Sequence, residues 1–307
     1  MKTKRSPFQP MSLLIQVAVI VLIAHFTFLA ADDDTFTWRG PDGVILPFES
    51  PEAVEQFLAS ARVVEVQGID MGVTHPKRLL LEKDGVRMHA VFRNLDEFKG
   101  VWQGPSGVKP NFHDSCYYEL AAYRLSRLLA IDRVPPVVER AFVREDFVKA
   151  KDFGRLGKVS KGTVQAWVEG AMTEIERRKH RTRPPNMMKW LDECQTMFLW
   201  NSLTFNDDPN LGNLLIGPDW KIWLIDSTRS FRPYKELRSP EAIKRCDPRI
   251  WEKLRNLDPE ILRRELSDIL SKPVLDCLIA RQQALVEFIR GLIGQVGEEF
   301  VVRRLGR

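Results

Sequence analysis

Residues 205–231 read FNDDPNLGNLLIGPDWKIWLIDSTRSF. Asp207, Asp208, Asn213 and Asp226 crowd into this stretch between apolar runs. The residues before it, KWLDECQTMFLWNSL, have the apolar spacing of an amphipathic helix, predicted over Met187 to Asn201. The loop FNDDPN follows. LGNLLI then reads as a strand, GPDW as a turn and KIWLID as the return strand. A hairpin of that kind brings Asn213 and Asp226 to one end, with Asp208 in the loop beside them. An Asn amide oxygen and an Asp carboxylate, completed by phosphate oxygens and water, suit a magnesium-type cation. Asp208 could then orient a hydroxyl nucleophile or accept its proton. The plainer alternatives are that Asn and Asp only favour the turns, or that the cluster binds calcium in a structural protein.

A loop Asp, an Asn five residues on, a hairpin and a strand-end Asp occur in that order in the phosphoryl-transfer centre of the protein-kinase-like fold. Such a fold also needs a loop over the phosphates, a cation on the third strand and a helix carboxylate. In the N-terminal half, Glu52 to Ala61 reads as a short helix, and VVEVQ, RLLLEK and VRMHAVFR read as three strands. The loop Gly68 to Lys77, with Gly72, Thr74 and Lys77, follows the first strand, and an Asp-Gly turn follows the second. Arg93 ends the third strand. A helix beginning near His113, capped by Asp114 or Ser115, carries Glu119 in YYELAAY. VPPVVERAFV and GTVQAWVEG read as two further strands. The C-terminal third is helical: Asp258 opens DPEILRRELSDIL, and Leu275 to Arg304 reads as one long amphipathic helix interrupted by glycines.

With these residues in place, the segment ELAAYRLSRLLAIDRVPPVVER, 119–140, resembles E-x-A-A-(Y/F)-x-L-x-R-x-L-x-x-x-R-V-P-P of the secretory-pathway kinases, the family of Golgi casein kinase and the xylosylkinases. FNDDPNLGN is similar to that family's N-x-D-R catalytic loop, GTVQAWVEG to its hinge-side strand, and LIDSTRSF to its metal-Asp segment. The phosphatidylinositol 3-/4-kinases and bacterial toxin kinases share the core more distantly. The likeness runs over roughly Val63 to Val302. It implies an α+β, two-lobed protein-kinase-like fold with a strand-rich N-lobe (51–165) and a helical C-lobe (166–307). It implies ATP and Mg or Mn as cofactors and a hydroxyl-bearing substrate: protein, glycan or lipid. By position it makes Asp208 catalytic, Asn213 and Asp226 metal-binding, and Arg93, Glu119, Gly72, Thr74 and Lys77 nucleotide-binding. Two departures bear on activity. Arg93 stands where the family has lysine, and Pro209 stands where it has arginine. Arginine stays charged but is bulkier and forked; proline removes a donor from the loop. A kinase and an inactive pseudokinase acting as an envelope scaffold are therefore the two readings.

Bulk features set the surroundings. The basic MKTKRSPFQP precedes the apolar run Ser12–Ala31, and ADDD follows. That is an export signal, either a cleaved signal peptide or an uncleaved signal anchor over residues 1–31, with a linker over 32–50. The folded part is then expected outside the cytoplasm, periplasmic, extracellular or in a secretory lumen, with a membrane partner if the leader stays. The net charge of +5 over 307 residues includes three cations in the first five positions and gives no reason to expect a nucleic-acid partner. Four cysteines without a CxxC pair argue against zinc and leave one or two disulfides open. The basic run RRKHRTRPP, 177–185, reads as a solvated loop able to attract an acidic group.

Overall fold

Asp84 and Gly85 both adopt positive φ, 50° and 77°, in a two-residue hairpin turn that matches the twist of the strands it joins. Those strands are β2 (Lys77–Lys83) and β3 (Val86–Arg93), and β1 (Arg62–Gly68) pairs with the outer edge of β2. The computed structural model describes residues 36–69, 76–104, 107–143, 146 and 159–306. The leader, Gly72 and Thr74 lie outside the described residues. In β2, Leu79 and Leu81 are fully buried; in β3, Met88 and Ala90 oppose them and Phe92 continues the same face. That period-2 pattern sets one side of the sheet against apolar neighbours. Helix α1 (Pro51–Ser60) supplies part of the cover through Val54, Phe57 and Leu58, with Ser50 capping its first turn.

The chain next forms a hairpin absent from the sequence reading, β4 (Asp96–Gly104) with β5 (Gly107–Ser115), in register from Asp96↔Ser115 to Gly104↔Gly107. Helix α2 (Tyr117–Leu128) therefore starts later than expected. Its N-cap is Cys116, with no side-chain cap, because Asp114 and Ser115 belong to β5. The sheet closes with β6 (Val137–Val143) and β7 (Val159–Ala166), in the antiparallel order β1-β2-β3-β7-β6.

Beyond β7 the chain is mainly helical. It runs through β8 (Met172–Thr173), α3 (Glu174–Lys179) and α4 (Met187–Thr204) to a small hairpin, β9 (Leu214–Ile216) and β10 (Ile222–Leu224). The expected strand LGNLLI is shorter, since Leu211–Asn213 forms a 3-10 turn. Helix α5 (Pro248–Asn256), capped by Asp247, was not anticipated; α6 (Pro259–Leu266) has the expected Asp258 cap and first-turn proline. Helix α7 (Lys272–Val296) runs unbroken through Gly291 and Gly294. It ends at Gly297, whose φ of 95° an L-residue seldom adopts, and α8 (Glu298–Val301) follows. Arg281 of α7 is fully buried and donates to the carbonyls of Leu203 (2.7 Å), Arg232 (2.9 Å) and Tyr234. All four cysteines are free thiols, so the disulfides left open by the sequence are not formed. The fold is thus strand-rich in its N-terminal part and helical in its C-terminal part. No helix of the described residues is long and apolar enough to cross a membrane.

Candidate active site

The loop after α4 is organised by asparagines. Phe205 ends the helix in the left-handed region (φ 48°), and the N–H of Phe231 donates to Thr204 at 2.7 Å, closing the base of the 205–231 segment. Asn206 is buried; its Oδ1 accepts from the N–H of Asp208 (3.0 Å), and its Nδ2 donates to Asn201 (3.2 Å). Asn210 caps the 3-10 turn by accepting from the N–H groups of Gly212 and Asn213, and its Nδ2 donates to Asp208 Oδ1 at 3.1 Å. Asn213 Nδ2 donates to the carbonyl of Asp208 at 3.2 Å. These are the local side-chain-to-backbone bonds that Asn and Asp form in turns, here holding one loop in one shape.

The hairpin places Asn213 and Asp226 as its spacing requires. Leu214 pairs with Leu224, so Asn213 and Asp226 flank the same end. Asp226 has φ 59° and ψ 50°, a left-handed conformation that Asp tolerates better than most residues. Among the described residues its carboxylate accepts one hydrogen bond, from Thr228 Oγ1 at 3.4 Å. Among the described residues nothing donates to the amide oxygen of Asn213. The donor set is therefore two hard oxygens with little competition, and among the described residues no group of three or more His, Cys, Asp or Glu is gathered. Such a pair fits a small divalent cation whose other positions are phosphate oxygens and water. It does not fit zinc or a closed calcium cage.

Glu119 of α2 connects this end to the sheet. It is fully buried. Its Oε1 accepts from the N–H of Ser227 at 3.0 Å and lies 3.9 Å from Arg93 Nη1. Gln165 of β7 bridges the pair, accepting from Arg93 at 3.2 Å and donating to Glu119 at 3.4 Å. Burial raises the Glu119 carboxyl to about 7; Arg93 opposes that rise and the nearby Asp226 adds to it. Gly162 makes room for this arrangement, because a Cβ there would overlap the carbonyl of Arg93. The structure thus brings Arg93 and Glu119 together. Lys77 opens β2 opposite Phe92 and, among the described residues, makes no ion pair.

The sequence reading missed Arg229. Its Nε donates to Asp114 at 2.7 Å and its Nη1 to Asp208 at 3.2 Å. Burial works against its charge, but Asp114, with Asp208 and Asp226 behind it, raises its pKa overall. A guanidinium expected next to Asp208 in sequence, where Pro209 stands, is delivered instead from three residues past Asp226. Asp207 points elsewhere, to Lys109 of β5 at 2.8 Å. Buried Arg232 anchors the same strand by donating to the carbonyls of Asn111 and Pro110. The visible signal for these pairs was weak: a basic residue in STRSF and acids in a polar hairpin.

No family model matches the chain, and no curated protein matches it in sequence. Solved structures do match in fold. Hydra Fam20 with sugar superposes with a TM-score of 0.61 at 16% identity, over 83% of this chain and 93% of that one. The Golgi casein kinase superposes with a TM-score of 0.59 at 15% identity, over 82% and 78%. Its structure with Mn/ADP bound gives 0.58 at 16% identity, over the same shares. The chain has the protein-kinase-like fold of the Golgi casein kinase and hydra Fam20 structures.

Proposed function

We propose that this protein is a kinase that uses ATP and Mg or Mn to phosphorylate a hydroxyl of a protein, glycan or lipid outside the cytoplasm. The observation that carries the reading is the junction at Glu119. One buried carboxylate joins the strand cation Arg93 to the residue following the candidate metal ligand Asp226. That coupling sets a phosphate-binding cation and a metal-binding carboxylate against each other, as phosphoryl transfer requires. Asp208, held by the Asn206 and Asn210 bonds, is positioned to accept the proton of the attacking hydroxyl. Asn213 and Asp226 would hold the divalent ion, which supplies charge neutralisation at the phosphates. The casein kinase structure bound to Mn/ADP and the Fam20 structure with sugar lend support by fold. The export signal at 12–31 supports a lumenal, periplasmic or extracellular setting, or an outward-facing membrane anchor.

A thermal-shift screen tests this directly, since a ligand that binds only the folded state raises the melting temperature. ATP or ADP with Mg or Mn is expected to stabilise the protein, and either component alone to do so far less. Nucleotide binding indifferent to the metal would refute the reading. A pseudokinase scaffold is the second reading, and Arg93 in place of lysine favours it. In that case the protein binds an envelope partner and turns over no ATP.

A further inference from the structure

A cavity of about 470 Å³ opens beside the catalytic loop. Arg93, Glu119, Asp208 and Asp226 do not line it; Asn206, Asn210, Asn213, Ile225 and Ser227 do. Its floor is apolar and buried, built from Trp200 of α4, Ile216 of β9, and Ile222 and Leu224 of β10. Exposed Arg178, Pro209, Asn210 and Ser239 mark its mouth. A volume of this size lies in the range of small-molecule sites, about 300–1,000 Å³.

The charge around it is one-sided. Arg177 and Arg178 both grip Glu174, at 2.6 and 2.7 Å, and Arg238 is the third guanidinium. Three cations thus face one carboxylate. Nη1 of Arg238 is buried and has no hydrogen-bond partner. A buried guanidinium nitrogen left unpaired is unfavourable unless something accepts from it. Close in sequence to the lining residues Glu174, Arg177, Arg178 and Trp190, Ile175, Met187, Met188 and Leu191 are exposed, as are Lys179, Arg181 and Arg183. Ile175 lies against Gly212 of the catalytic loop. Exposed apolar side chains interspersed with cations are the surface chemistry of an interface with anionic lipid.

We propose that this cavity binds an anionic amphiphile, its apolar chain on the Trp200–Leu224 floor and its negative head group on Arg238 and Arg178. Because the walls include Asn206, Asn210 and Asn213, occupancy braces the catalytic loop. This site is independent of the phosphoryl-transfer reading, as binding needs neither nucleotide nor metal.

The test is tryptophan quenching in the full chain, since Trp190 and Trp200 line the cavity. The probes are 12-bromododecanoate, 12-bromododecanol, and phosphatidylcholine vesicles carrying brominated phosphatidylglycerol. Saturable quenching is expected, with the acid binding at least tenfold tighter than the alcohol. Arg238→Gln should erase most of that preference, and Cys194→Phe or Ala242→Phe should abolish the quenching by filling the space. Quenching by the free acid identifies a soluble amphiphile; quenching by vesicles that these variants remove identifies a membrane lipid. No saturable quenching by any probe, equal affinity for acid and alcohol, or quenching that survives both filled variants overturns the proposal. Should the filled variants not fold, the Arg238→Gln comparison alone decides it.

Discussion

The carboxylate of Glu119 accepts the backbone N–H of Ser227 at 3.0 Å, joining α2 to the segment just past Asp226 across 108 residues of sequence. This bond sits in full burial, and burial raises the carboxyl from 4.5 to about 7. Between those values the folded state binds the proton more tightly than the unfolded state. Stability from this group is therefore complete below pH 4.5 and is lost as pH rises through 7. Comparing Glu119→Gln with the parent in metal-free buffer isolates the effect. The parent should lose stability relative to the variant between pH 5 and 8, by on the order of 3 kcal/mol. Parallel melting curves across that range would rule out the assigned burial effect.

Arg229 bridges Asp114 and Asp208, which are not neighbours in sequence. In Arg229→Gln, buried Asp114 loses its charged partner at a cost of about 2 kcal/mol, and Asp208 loses its orienting cation. A second change, Asp114→Asn, should recover the stability without recovering phosphate transfer. The cycle is read by urea denaturation and by turnover in parallel. Recovery of both together would make Arg229 purely structural.

Asp226→Ala is expected to abolish the metal-dependent thermal shift with nucleotide; the free protein should stay folded but lose about 1 kcal/mol, because alanine fits the left-handed backbone at this position less well than aspartate. Arg93→Lys separates the two functional readings. A compact ammonium replaces a fork that is engaged by Gln165 and Glu119. Turnover equal to or above the parent's marks a working enzyme. Absence of turnover in both forms supports the scaffold.

Gly162 lets β7 approach the end of β3, where an added Cβ would meet the Arg93 carbonyl. Gly162→Ala must push that strand end outward. We expect a loss of about 2 kcal/mol in stability and a weakened nucleotide shift, measured in the same melts. An unchanged nucleotide shift in a destabilised Gly162→Ala protein would show that Arg93 does not contribute to binding.

Much of the site was legible because its determinants are local. Asp-Gly between alternating apolar runs specifies a hairpin, and the strand pairing Leu214↔Leu224 follows from GPDW as a turn. The interval from Asp208 to Asn213 and the return to Asp226 carried the candidate metal pair. The β4–β5 hairpin was invisible for the opposite reason. DEFKGVWQG keeps most of its residues exposed and GVKPNFHDS buries residues only toward its C-terminal end, so neither strand shows a one-sided apolar period. Missing it also displaced the start of α2, and turned Asp114 from an expected cap into the buried partner of Arg229.

By itself the sequence determined the strands β1, β2, β3, β6 and β7, the turn at Asp84-Gly85, and the spacing of Asp208, Asn213 and Asp226, since backbone propensity and side-chain period act within a few residues. Only the tertiary structure decided which charges meet. Glu119 holds Arg93 and Ser227, and Arg229 joins Asp114 to Asp208. A buried charge is stable only beside a partner, and packing brings that partner from a distant part of the chain.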